Sequence, residues 1–322
     1  MNTFSVLMPL KDRVSYTRRI MNKWNSEKFP YEIIIADGGQ DLDIEEELSD
    51  KSNFKNLNYT YIKYPFDMEL SDFYAKMADV ATKIKTSTVM MMDNDDFIDV
   101  EGIGKCLEIL EDTSYCSARG LMQDMAGNIM YKEYPDSIIG NTAADRIIEQ
   151  TKHFHGNWHN IARTNHIQAM WKIIKIANPA NFRIIEQATS YLNTVWGNSY
   201  RGDFPWMHHE YSQRIRMKSG DLGAHFPSQE QWINADYWLE EFNKLTEIVG
   251  ATISYHDKTP INKALKTFRD CYHFKLPHLK DLLNNRINQA YSLGYDYNKI
   301  DQMLNIGWWN WQSPISTDKS HK

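Results

Sequence analysis

Residues 88–96 read TVMMMDNDD: an apolar run from Thr88 to Met92 passes directly into Asp93-Asn94-Asp95-Asp96. A short continuous apolar run bounded by polar residues is the pattern of a strand covered on both faces. Working outward, Phe4 to Met8 is a similar run closed by Pro9. Tyr31 to Ala36 (YEIIIA) is another, stopped by Asp37-Gly38-Gly39, and Leu57 to Tyr61 alternates like a further strand. Between them lie stretches of helical period. Val14, Ile20, Met21 and Trp24 share one face, as do Phe73, Met77 and Ala81, and after the acidic cluster Ile103, Leu107 and Leu110. Strand alternating with helix predicts an α/β fold with a mostly parallel, Rossmann-like sheet flanked by helices. Right-handed crossovers place the C-terminal ends of parallel strands on one edge, where open α/β sheets bind ligands. Lys11 to Arg13, Asp37 to Gly39 and Asp93 to Asp96 all follow strands, so they are expected to converge.

Beyond about Gly220 the character changes to a helical extension. Ser228-Gln-Glu-Gln231 has the form of a capping box opening a helix toward Gly250, and further helices are expected over 260–275 and 277–293. The expected division is an α/β domain over 1–222, carrying the three converging clusters, and a helical extension over 223–322 packed on it. The stretch from Met122 to Arg183 shows the least pattern.

Composition bounds the function. The 322 residues carry a net charge of −6 with no long basic run, which argues against nucleic acid as a partner. Cys106, Cys116 and Cys271 share no close spacing and read as reduced thiols. No apolar run approaches the ~18 residues of a membrane span, and the N-terminal segment reads as a buried strand rather than a signal peptide. A cytoplasmic location follows as the expectation, with peripheral association at the inner membrane face left open. Oligomeric state is not encoded in any pattern here.

The acidic cluster carries the chemistry. Three carboxylates within four residues repel one another, and a hard divalent cation bridging diphosphate oxygens relieves this. Such an ion also stabilises a departing nucleoside diphosphate. The bland reading is a solvated loop in which Asp96 or Asp99 caps the next helix. Asp37-Gly38-Gly39 is ordinary turn chemistry, yet after a strand it also suits Asp37 accepting from a base or ribose while the glycines admit close backbone approach. Lys11 and Arg13 read either as phosphate partners or as surface charge.

The segments VLMPLKDR, YEIIIADGGQ and VMMMDNDDFID together resemble the family 2 glycosyltransferases of the bacterial surface-polysaccharide type, which have the GT-A fold. The likeness spans residues 3–120, continuing weakly through Asp145-Arg146, His159 to Thr164 and 181–197. It implies a donor nucleotide at Pro9 and Arg13, with Asp37 and Gly38 near the base. Lys76 would touch base or phosphate, Asp93 would meet the ribose with Asn94 beside it in the nucleotide-sugar site, and Asp95, with Asp93, would bind Mn2+ or Mg2+. Arg163 is a further candidate for acceptor or phosphate. This chain departs from the family at Leu10-Lys11-Asp12 and at Gly39, and it lacks the Gln-x-x-Arg-Trp signature of processive members.

An inverting transfer needs a carboxylate to deprotonate the acceptor. Glu186 lies 91 positions after Asp95 (186 − 95), near the spacing the resemblance implies, with Asp203 and Glu210 as alternatives. One of His208 and His209 is the expected late histidine on the metal or diphosphate. His153, His155 and His159 surround Trp158 in a loop that reads as acceptor-binding or as plain surface. Trp308, Trp309 and Trp311 near the end read as core packing or as an amphipathic patch. The expected activity is therefore a metal-dependent transfer from a nucleotide diphosphate sugar, UDP-sugar favoured, to a saccharide or lipid-linked acceptor. A non-catalytic scaffold with the same fold is the rival from another class. A nucleotidyltransferase fits less well, because PLKDR contains no glycine to cradle a triphosphate.

Overall fold

The apolar runs form the strands expected of them. A computed structural model of the chain describes residues 3–130, 136–152, 154, 156–210 and 228–293. Its strands are β1 (Phe4–Leu10), β2 (Glu32–Asp37), β3 (Tyr59–Lys63), β4 (Thr88–Met91), β5 (Phe97–Ile98), β6 (Tyr115–Asp124), β7 (Ile161–Arg163) and β8 (Asn198–His209). They build a sheet in the order β3-β2-β1-β4-β7-β6-β8-β5. The first four in that order are mutually parallel, β7 and β5 run against their neighbours, and β6 pairs parallel with β8. The fold is thus α/β with a mostly parallel sheet.

Helices cover both faces because the strands are apolar on both. On one side lie α1 (Val14–Glu27), α2 (Leu42–Ser49) and α4 (Val100–Ile109), burying Ile20, Trp24, Leu48 and Ile103 against Val6, Ile33 and Met90. On the other lie α3 (Leu70–Lys83), α6 (Thr164–Ala177) and α7 (Phe182–Val195), closing Met77, Trp171 and Leu192 over Leu7, Ile34 and Val89. Alternate residues of one strand therefore enter different cores, as a period of two demands.

The C-terminal region is helical as expected, with one difference. The Ser228 capping box forms, but the helix it opens, α8 (Gln229–Asn234), is short. The chain breaks at Ala235 and restarts as α9 (Trp238–Asp257). Arg286 explains the break: its guanidinium donates to the carbonyls of Ile233 and Ala235 at 3.0 and 2.8 Å, holding the end of α8 open. Next come α10 (Ile261–Cys271) and α11 (Lys280–Ser292), joined through 3-10 turns. These helices share a core with α5 (Ala143–Lys152) and α7, in which Trp238, Phe242 and Phe268 meet Ile147 and Tyr191. The extension therefore packs on the sheet region. The boundary expected near residue 222, the tryptophans from Trp308 onward, and His153 and His155 all lie outside the described residues. Among those described, no helix is long and apolar enough to cross a membrane. Cys106, Cys116 and Cys271 are buried free thiols.

Tight packing of α4 on β8 rests on Gly102, where an added Cβ would collide with the Pro205 carbonyl and the Trp206 Cα. Gly102→Ala should destabilise the protein by about 1–3 kcal/mol through overpacking, read as a lower midpoint in thermal or urea unfolding.

Candidate nucleotide and metal site

The adjacent, parallel strands β2, β1 and β4 deliver their following loops to one sheet edge. The β1–α1 turn bends sharply: Asp12 and Arg13 both have left-handed backbones, at φ 53° and 56°. That bend lets the Asp12 carboxylate accept from the Gln40 N–H at 3.0 Å, tying the first loop to the second. It also turns the Arg13 guanidinium onto the Asp95 carboxylate, a pair in which Asp95 is 2% exposed. Asn94 completes the junction, donating to the Arg13 carbonyl at 3.3 Å and to the Thr17 hydroxyl at 2.9 Å. The three polar clusters do converge.

Pro9, Lys11, Arg13, Lys76, Asp93 and Asn94 all line one cleft. Its remaining walls come from Leu10, Asp67, Phe73, Trp158 and Phe182. Asp37 sits behind this lining. Its buried carboxylate accepts from the Tyr61 hydroxyl at 2.6 Å, the Lys63 ammonium at 3.0 Å and the Gly39 N–H at 2.7 Å. Gly38 has a packing reason to be glycine, since a Cβ there would run into the Asp67 carboxylate. Asp67 in turn is paired with Lys76, and both are buried. Burial pushes the Asp67 carboxyl up and the Lys76 ammonium down, and each is opposed by the charge of the other.

At the end of β4, Asp93, Asp96 and His159 bring three donor atoms within 4.8 Å of one another. His159 Nδ1 lies 3.1 Å from the Met91 carbonyl, which only accepts, so this nitrogen carries the proton and Nε2 is left facing the carboxylates. Nε2 is 3.6 Å from Asp96 and 4.0 Å from Asp93, too far for hydrogen bonds. Asp96 Oδ2 is buried without a hydrogen-bond partner, while Oδ1 accepts from His209 Nδ1 at 2.7 Å and from the Glu210 N–H at 3.1 Å. Loss of solvation, then Asp95 and Asp96, push the Asp93 carboxyl up against the pull of His159 and Arg13. The hydrogen bond to Asp96 also raises the His209 imidazole, which favours its cation. Two carboxylates and one imidazole nitrogen, with a buried oxygen left over, suit a hard divalent cation such as Mn2+ or Mg2+.

The remaining candidates are scattered by the fold. His209 stands behind Asp96 rather than beside the cluster, and His208 pairs with Phe97 across β5 and β8. Glu210 binds Arg19 at 2.5 Å. Glu186 is exposed on α7, one turn beyond the cleft residue Phe182 and on the same helix face. Asp203 is exposed six residues upstream of His209, roughly 20 Å away along the strand. Arg163 is a correction. It pairs in register with Thr88 at the opposite end of β4, and its guanidinium donates to the carbonyls of Tyr115, Leu110 and Asp112. It seals the C-terminal end of α4 and does not reach the cleft. Sequence reasoning missed Asp67, Phe73 and Phe182 as site residues, and it read His159 as part of an acceptor-binding or plain surface loop rather than beside the carboxylates. Nothing in the local spacing links His159 to carboxylates more than sixty positions earlier.

No family model matches the chain, and no curated protein does. Among solved structures it is similar to S. aureus TarS 1-349, described with UDP-GlcNAc, at 14% identity over 92% of this chain and 93% of that one, with a TM-score of 0.48. It is also similar to the mannosyltransferase PcManGT from Pyrobaculum calidifontis, described with GDP-Man and Mn2+. There the identity is 8%, the coverage 96% and 82%, and the TM-score 0.46. With TM-scores under 0.5, these likenesses say what the chain resembles and carry no weight for its activity.

Two substitutions separate the cleft from its surroundings. His159→Ala should weaken manganese binding by roughly tenfold or more in a metal titration. Arg163→Ala should leave that titration unchanged and instead lower stability by about 1–3 kcal/mol, because three carbonyls lose their donor.

Proposed function

We propose that the protein is a metal-dependent glycosyltransferase that moves a sugar from a nucleoside diphosphate sugar to a saccharide or lipid-linked acceptor. The observation that carries this reading is the junction of two unlike sites on one cleft. The Asp93–Asp96–His159 cluster suits a divalent cation, and Lys11, Arg13 and Lys76 add positive charge along the same lining. A diphosphate needs both.

Asp93, Asp96 and His159 would hold the ion, with His209 fixing the Asp96 carboxylate from behind and the Met91 carbonyl fixing the His159 tautomer. When bound, the ion supplies neutralisation of the charge that develops on the departing diphosphate. Asp95 serves as the anchor of Arg13, which presents its guanidinium at the cleft wall. Trp158 and Phe182, with ring centroids 6.0 Å apart, offer an apolar wall for a sugar face. Glu186 is the proposed base: sharing a helix face with Phe182, it is the candidate carboxylate placed to take a proton from an acceptor on that side, with inversion at the anomeric carbon. Glu210 is engaged with Arg19, and Asp203 lies remote from the cleft. The proposed setting is bacterial surface glycan synthesis in the cytoplasm, at the inner face of the membrane.

Calorimetric titration with UDP, GDP and CMP, each with manganese and with EDTA, tests the reading. One diphosphate should bind, and removal of the metal should weaken it sharply. Asp93→Asn should abolish the metal dependence while leaving the fold intact. If the folded protein bound none of the three under either condition, the non-catalytic scaffold would become the better account.

A further inference from the structure

Asp67 is 1% exposed and yet lines the cleft. One of its carboxylate oxygens, Oδ2, takes the Lys76 ammonium, and the other, Oδ1, is buried with no hydrogen-bond partner. Lys76 is held in place by a second bond, to the Leu10 carbonyl at 3.1 Å. Lys11 reaches the same residue from another side, donating to the Asp67 carbonyl at 2.7 Å. The glycine at position 38 exists to admit this carboxylate. A buried acceptor left unpaired is costly, and a ligand N–H that meets it recovers the loss. Asp37, the carboxylate expected from the sequence to meet the base, already receives three donors from the protein.

Resting on the reading of the cleft as a nucleoside diphosphate site, we infer that Asp67 Oδ1 is the group that recognises the base, and that the base is uracil. The pattern offered is one acceptor with ammonium donors bound on the same residue. Uracil's imide edge is its complement, an N3–H between two carbonyl oxygens. Guanine's edge places two adjacent donors beside one carbonyl and is best met by two unoccupied acceptors, whereas at Asp67 only Oδ1 is without a donor, Oδ2 already taking Lys76. Cytosine and adenine carry an exocyclic donor next to a ring acceptor and have no central N–H. Phe73 and Leu10 supply apolar lining for the faces of the ring.

A probe that changes the ligand avoids unfolding the buried Asp67–Lys76 pair. UDP and its N3-methyl derivative are titrated against the wild-type protein with manganese, alongside GDP, CDP and ADP. The expected result is preference for UDP, with N3-methylation weakening binding by about ten- to a hundredfold, as when a buried acceptor stays unpaired. Equal affinity for UDP and N3-methyl-UDP overturns the role of Asp67 while leaving the diphosphate site standing. Tighter binding of GDP overturns the choice of uracil in the same way. Failure of every nucleotide to bind removes the diphosphate reading itself, and this inference with it.

Discussion

Three carboxylates crowded at the end of a strand buried on both faces have to be held against their own repulsion, and most of the site is organised by how that is done. Each meets a different side chain from a different part of the chain. Asp95 takes Arg13 from the turn after β1, and Asp96 takes His209 from the end of β8. Asp93 faces His159 from the segment before β7. None of the three partners lies near the cluster in sequence. The repulsion is therefore relieved only when the sheet has assembled, and folding and site formation are one event. The remaining buried oxygen of Asp96 is what a divalent ion would satisfy.

Close approach of backbones is the second constraint. The double left-handed turn at Asp12 and Arg13 costs conformational energy that a regular strand-to-helix junction would not. In return it ties the first loop to Gln40 and aims Arg13 at the acidic cluster. Gly38 extends the same arrangement by making room for Asp67, which carries Lys76 and Lys11 to the cleft. The cleft is thus lined by charges that are mostly spoken for by one another. Its specificity then lies in the few atoms the protein leaves unmatched.

Among the described residues the helical extension shares a core with the helices that cover the sheet. Tyr272 donates to Gln187 on α7, and Phe268 packs its ring against Tyr191, 5.0 Å away. Because α7 carries Phe182 at the cleft wall and Glu186 one turn further on, those contacts brace the side of the site proposed to receive the acceptor. The Trp158 loop is braced similarly, with Asn157 bonded to the Ser190 hydroxyl and carbonyl on α7 at 3.0 and 3.1 Å.

The sequence by itself determined the α/β class, the buried strands before Pro9, Asp37 and Asp93, and the meeting of their loops on one edge. Those features are local: a run of apolar residues selects a strand, a period of 3.6 selects a helix, and crossover handedness orients the rest. It also indicated Lys11, Arg13, Asp93 and Asn94, because they follow strands directly, while Pro9 and Lys76 were implied by the family resemblance. What only the tertiary structure decided was which charges face one another. Arg163 looked as available as Arg13, yet antiparallel pairing of β7 carried it to the far end of the sheet. Asp37 looked like the base carboxylate, and the structure shows it holding Tyr61 and Lys63 from the neighbouring strand and the Gly39 N–H. His159 and Asp67 entered the site through contacts across long sequence separations. Such contacts depend on register and strand order, which no short pattern encodes.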